Sequence, residues 1–100
     1  MRLSQTEIVT IKQLAKKHFG QGTVVFLFGS RTDDLLKGGD IDLFIRNSND
    51  QRLNLETKIH FLAELKTKIG EQKIDVVFDN SFTRQKINFY HSVNSRKIEL

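Results

Sequence analysis

The sequence predicts a mixed α/β domain of the α+β kind, a small sheet flanked by helices in the order α-β-β-α-β-α. Three observations carry this. A capping signature precedes an apolar stripe of helical period at the start of the chain. Two short β-branched or aromatic runs, Thr23 to Phe28 and Lys73 to Phe78, are too brief for helices. Between them a polar, glycine-containing loop leads into an alternating segment, and a second helical stripe follows.

The first helix starts at Ser4-Gln5-Thr6-Glu7, where the Ser4 hydroxyl can accept the Glu7 amide while the Glu7 carboxylate reaches back to the cap. Ile8, Ile11, Leu14, Ala15, His18 and Phe19 hold one face, and Gly20 supplies a left-handed stop. The run "TVVFLF" then reads as a strand covered on both faces. Gly29-Ser30 breaks it. Asp40 to Arg46 alternates, with Ile41, Leu43 and Ile45 on one face and Asp40, Asp42 and Phe44 on the other.

From about Asn49 to Ile69, the positions Leu55, Ile59, Leu62, Leu65 and Ile69 form a helical stripe that stops at Gly70. "KIDVVF" is the third strand. After Asp79-Asn80-Ser81 a short helix carries Phe82, Ile87, Phe89, Tyr90 and Val93, and "KIEL" closes the chain as an extended or frayed tail. No repeat, linker or low-complexity segment interrupts residues 1–100, so one domain with one core and one site is expected.

Composition excludes several chemistries. Without cysteine there is no disulfide framework, thiolate metal site or cysteine nucleophile. No apolar run approaches the roughly 18 residues of a membrane span, and Met1-Arg2-Leu3-Ser4 is not followed by an apolar leader, so a cytoplasmic protein without membrane contact is expected. The chain carries a formal +4, yet Gly29 to Asp50 sets five aspartates against Arg31, Lys37 and Arg46. An acidic island of −2 therefore sits in a remainder of +6. Lysines spread over helix faces read first as solvation, although a nucleotide partner would also suit them.

Asp40 and Asp42 are two apart on a strand, so their carboxylates project from one face with backbones about 7 Å apart. Such a pair either shares a proton or binds a cation, and hard divalent ions prefer its oxygens. Asp75 is the third candidate: if its strand lies beside that of Asp40, three acids meet at one end of the sheet. Gly29 and Ser30 form a turn that lets backbone amides approach an anion, and the Arg31 fork can hold phosphate oxygens or pair with Asp33 or Asp34.

The combination "GSR", a polar spacer, "GGDIDL" and the later "KIDVVF" resembles the minimal nucleotidyltransferases of the DNA polymerase β superfamily, from the first helix to about Phe82. The resemblance implies that Gly29 and Ser30 bind a triphosphate and that Asp40 and Asp42 hold two Mg²⁺ ions. It also implies that Asp75 ligates a metal and helps activate the attacking hydroxyl. The implied reaction is in-line attack on the α-phosphorus of a nucleoside triphosphate, ATP for preference, with pyrophosphate leaving.

Larger members of that superfamily append a domain that grips the acceptor, and none is expected in residues 1–100. The resemblance therefore points to a helical partner of the HEPN type, paired as toxin with a nucleotidyltransferase antitoxin that adds AMP to one of its tyrosines. Two other readings fit: an antitoxin that neutralises its partner by contact alone, and a catalytic subunit that modifies a small-molecule hydroxyl with a helical partner.

The remaining polar residues read more plainly. Asp33, Asp34 and Lys37 are loop residues, His18 a packing or helix-end residue, and His60 and His91 have no spaced partner for zinc. Tyr90 reads as core. Arg84, Lys86, Arg96 and Lys97 make the tail basic, as a partner surface or a solvent-facing helix. No Gly-x-x-x-x-Gly-Lys-Ser/Thr occurs, and most phenylalanines fall at apolar positions, which disfavours a P-loop and single-stranded nucleic acid respectively.

Overall fold

Each long helix begins where the sequence supplies a reciprocal cap. In the computed structural model, which describes residues 2–33 and 39–100, the Glu7 N–H donates to Ser4 Oγ at 3.1 Å and the Ser4 N–H donates to Glu7 Oε1 at 2.9 Å. Helix α1, Gln5–Phe19, follows and ends at Gly20 with φ 101°. Asn54 and Thr57 cap α2, Leu55–Ile69, in the same way. Asp34, Leu35, Leu36, Lys37 and Gly38 lie outside the described residues.

The second helix does not reach back to Asn49. Asn49 caps a separate 3₁₀ turn, Asp50–Arg52, and buried Leu53 brings the chain inward before α2 starts. Two asparagines five residues apart each offer a side-chain oxygen to orphan amides, so the segment has two starts. The buried stripe of α2 is also rotated from the expected one. Leu55 and Ile59 are 69% and 56% exposed, whereas Phe61 is fully buried with its ring 5.0 Å from that of Phe19. Packing against α1 around this aromatic pair sets the rotation.

Three strands, β1 (Val24–Phe28), β2 (Ile41–Arg46) and β3 (Ile74–Phe78), are joined by β4 (Ile98–Glu99) in the order β3-β2-β1-β4. β1 runs antiparallel to β2, and β2 runs parallel to β3 through the α2 crossover. The tail is not frayed: β4 pairs antiparallel with β1, and the Leu100 N–H donates to Val25 O at 2.9 Å.

One face of the sheet, with Val25, Leu27, Ile41, Leu43 and Ile45, packs under α1 and α2. The other carries Phe26 and Phe44, which pack with Val93 and Tyr90. The expected final helix is divided into α3, Ser81–Arg84, and α4, Ile87–Arg96. Of its apolar residues only Val93 is buried; Phe82, Ile87 and Phe89 are 66%, 64% and 39% exposed. Tyr90 and Val93, three apart, are the stripe that meets Phe44, and the others fall off it.

Candidate active site

At the C-terminal end of β1 the chain turns sharply. Gly29 opens a 3₁₀ turn, Gly29–Thr32, with φ 77°, held by Thr32 Oγ1 donating to Gly29 O at 2.7 Å. A Cβ on Gly29 would collide with Asp42 Oδ2 and lie 3.1 Å from its Cγ. Glycine is therefore required twice, by the backbone angle and by the carboxylate pressed against it.

The sheet register decides which acids meet. Asp42 is opposite Phe28 on β1 and opposite Asp75 on β3, so the three side chains form a row across neighbouring strands about 4.8 Å apart. The condition on which Asp75 could join the other acids, that its strand lie beside β2, is met. Asp42 is raised to about 6, by burial first, then by the charges of Asp75 and Asp40 and a hydrogen bond shared with Asp75, against a lowering influence from Lys73.

Asp40 lies one residue ahead of β2 and makes an ion pair instead: Lys73 Nζ is 3.5 Å from its Oδ2. Among the described residues, no three acidic, histidine or cysteine side chains converge closely enough to hold one metal ion. The close pair is Asp42 and Asp75, with Asp40 beside it. An all-carboxylate donor set whose central member resists ionisation is short of positive charge, and that chemistry fits a hard divalent cation.

Arg31 lies at this end of the sheet with its guanidinium engaged by the protein. It donates to Arg2 O at 3.0 Å, to Gly39 O at 3.4 Å and to Gln72 Oε1 at 3.4 Å, bracing the N-terminal segment, the loop and the entry to β3. Ser30 sits within the turn. Asp33 accepts Arg2 Nε through its carbonyl at 3.2 Å.

Exposed Phe89, whose ring meets Phe28 edge-on at 6.2 Å, lines two cavities that also hold residues of this end of the sheet. One, about 370 Å³, holds Asp42 and Asp75 with Lys58 and Leu62. The other, about 350 Å³, holds Gly29, Thr32, Ser92 and Arg96. Lys73, Phe89 and Arg96 were not identifiable as site residues from the sequence. A lysine before a strand and a basic residue in a helix tail carry no periodic signal, and only the fold brings them to Asp40 and Gly29.

The other candidates lie elsewhere. His18 shares a hydrogen bond with Glu64 at 2.8 Å and packs against Phe61. Tyr90 is half-buried; its hydroxyl donates to Asp79 Oδ1 at 3.2 Å. Arg84 Nε donates to the same buried oxygen at 2.9 Å, so the end of β3 remote from Asp75 is closed by a polar cluster. Lys97 lies 4.3 Å above the Phe26 ring and Lys86 4.9 Å above Phe82, so part of the basic tail covers aromatic faces.

The site therefore consists of a glycine turn at a strand end, an acidic pair in register across two strands and a third acid two residues away. A family model, polymerase beta nucleotidyltransferase, matches residues 9–99. The chain belongs to this nucleotidyltransferase family. Comparison with curated proteins finds no match. Nucleotidyl transfer is the general activity that membership supports, with a nucleotide as substrate and divalent metal as the family's usual requirement. No helix among the described residues is long and apolar enough to cross a membrane.

Proposed function

We propose that this nucleotidyltransferase is Mg²⁺-dependent and moves AMP from ATP to a hydroxyl of a helical partner protein, a tyrosine of a HEPN-type toxin. The observation that carries the reading is the row of Asp42 and Asp75 on adjacent strands with the Gly29 backbone seated on Asp42. Asp40, Asp42 and Asp75 would hold two Mg²⁺ ions, Asp40 after releasing Lys73. When bound, such ions neutralise phosphate charge and stabilise both attacking and leaving oxygens.

The rest of the work falls to the chain. The turn at Gly29 and Ser30 lets backbone amides approach the triphosphate, and Arg96, facing the same cavity as Gly29, supplies a cation for its outer phosphates. The acceptor oxygen bonds to the α-phosphorus while the bond to the bridging oxygen of the β-phosphate breaks. Pyrophosphate leaves, and the acceptor proton passes to the Asp75 carboxylate. Phe89 lines both the Gly29 cavity and the Asp75 cavity, which supports separate seats for nucleotide and acceptor.

The test is transfer of label from the α-phosphate of ATP to a copurifying helical partner, with and without Mg²⁺. Metal-dependent labelling of a partner tyrosine, lost in the Asp40→Asn, Asp42→Asn double variant, is the expected result; labelling that survives the double variant overturns the metal assignment. The ion pair between Lys73 and Asp40 favours a second reading, neutralisation of the partner by contact alone. Suppression of the partner without any labelling would select it, and labelling of a small-molecule hydroxyl would replace the protein acceptor.

A further inference from the structure

β3 is the last strand of the sheet on the side of the acidic pair, and among the described residues no strand pairs with its outer edge. The Ile41 N–H donates to Lys73 O at 3.1 Å, and the Asp79 N–H donates to Ile45 O at 2.8 Å. These bonds fix the parity of the parallel ladder: residues 73, 75, 77 and 79 face β2. The N–H and C=O groups of Ile74 and Val76, and the N–H of Phe78, therefore point outward. The Phe78 carbonyl accepts the Asn80 N–H at 3.1 Å.

We propose that this edge receives an extended, acidic segment of the acceptor protein as an added strand, which presents its hydroxyl beside Asp75. The proposal rests on the protein-acceptor reading above and specifies how that acceptor is held. A row of unpaired backbone donors and acceptors is a template for strand addition. The edge is also walled. The Asp75 cavity and a second of about 300 Å³ share Lys58, Val76, Val77 and Phe89, and together they follow β3 from Ile74 to Phe78.

Charge selects the occupant. Lys58 Nζ lies 6.0 Å above the Phe78 ring, Lys86 Nζ lies 4.9 Å above Phe82, and both line the second cavity, which among the described residues contains no acid. Among the described residues, the acids of the first are Asp42 and Asp75. Acidic residues on the incoming segment would meet the lysines, and its hydroxyl residue would lie at the other end. A second copy of the chain added edge to edge by a two-fold axis would run antiparallel and, centred on Val76, set the lysine end of each edge against the acidic end of the other, so it competes for the same edge. A nucleic acid strand would leave the backbone groups unpaired and place phosphates against Asp42 and Asp75.

Register then sets the geometry. A residue paired with Asp75 projects its side chain from the face that Asp75 and Asp42 share, one strand spacing of about 4.8 Å further along the row. Asp42, Asp75 and the acceptor hydroxyl would follow one another across three strands. A tyrosine, serine or threonine at that position meets the carboxylate assigned to take its proton.

Amide hydrogen exchange of the whole chain, read by NMR, tests this with a short synthetic peptide of alternating valine and glutamate with one tyrosine near its end. The peptide should slow exchange at Ile74, Val76 and Phe78 by about tenfold or more, and replacing its glutamates with lysine should remove the effect. The Val76→Pro variant deletes an outward N–H that the β2 ladder does not use, a position where an edge strand tolerates proline. It should bind the peptide about tenfold more weakly while retaining ATP binding. If that variant fails to fold, a Lys58→Glu, Lys86→Glu double variant should show the same weakening.

Equal binding to the folded variants, or no slowing at Ile74 and Val76, overturns the proposal. Slowing that grows with protein concentration in the absence of peptide assigns the edge to a second copy, and slowing by oligothymidylate but not peptide assigns it to nucleic acid; either overturns it too. The readout requires no catalysis. Peptide-dependent slowing supports strand addition even where labelling fails, and failed labelling then counts against the transfer reading alone.

Discussion

Replacing Asp42 by asparagine should stabilise the metal-free fold at neutral and alkaline pH while abolishing nucleotidyl transfer. The Asp42 carboxyl rises from 3.8 to about 6, chiefly through burial and the adjacent Asp75 and Asp40 charges. A folded-state pKa above the unfolded one means that the folded chain binds more protons between about pH 4 and pH 6. Stability therefore falls as pH rises through that window, and the full penalty persists above it. A rise from 3.8 to about 6 corresponds to about 3 kcal/mol. Asp42 is only partly buried, so solvent screening reduces this to about 1.5 kcal/mol.

At about 2.1 cal/mol/K per residue, a domain of this size loses about 0.2 kcal/mol per degree at its midpoint, so the variant should melt about 7 °C higher than wild type at pH 8 in EDTA. At pH 4 the two should coincide. Adding Mg²⁺ at pH 8 should raise the wild-type midpoint and leave the variant nearly unmoved. Calorimetry at both pH values is the assay. A variant that melts at or below wild type in EDTA at pH 8, or a difference that does not change with pH, refutes the electrostatic reasoning.

Gly29→Ala should cost about 1–3 kcal/mol and remove ATP binding, because the new methyl collides with Asp42 and the backbone angle favours glycine; denaturant melts and nucleotide titration read both effects. Lys73→Ala releases Asp40 from its counterion and should tighten Mg²⁺ binding about two- to fivefold by calorimetric titration, whereas weaker binding would assign the lysine a supporting role. Arg96→Ala should raise KM for ATP about tenfold with little change in melting temperature, since its side chain faces the Gly29 cavity from an exposed helix end. Phe61→Ala, by contrast, should cost about 3–5 kcal/mol because its ring is fully buried against Phe19, and a urea melt would show it.

Much of the fold was legible in residues whose signals are local. Ser4 and Glu7 marked the start of α1 through a capping box, Gly20 and Gly70 its end and that of α2, and "TVVFLF" and "KIDVVF" two of the strands. The misreadings share a cause. Ile59 and Leu55 look like core because they continue a 3.6-residue stripe, yet the helix rolls toward Phe61 to meet Phe19. Phe82 and Phe89 likewise look buried in sequence but fall away from the Tyr90 and Val93 contact with Phe44. Periodicity states that a face exists; neighbours decide which face is used.

The candidate site divides along the same line. Sequence alone indicated that Gly29 and Ser30 close a strand, that Asp40 and Asp42 stand two apart at the start of a strand, and that Asp75 is an isolated acid in an apolar strand, because each statement depends only on chain-local geometry. The tertiary structure decided that Asp75 stands opposite Asp42, that Lys73 pairs with Asp40, that Arg96 reaches the Gly29 cavity and that β3 keeps an open edge. Strand order and register are settled by packing across tens of residues, where no local preference is strong enough to specify them.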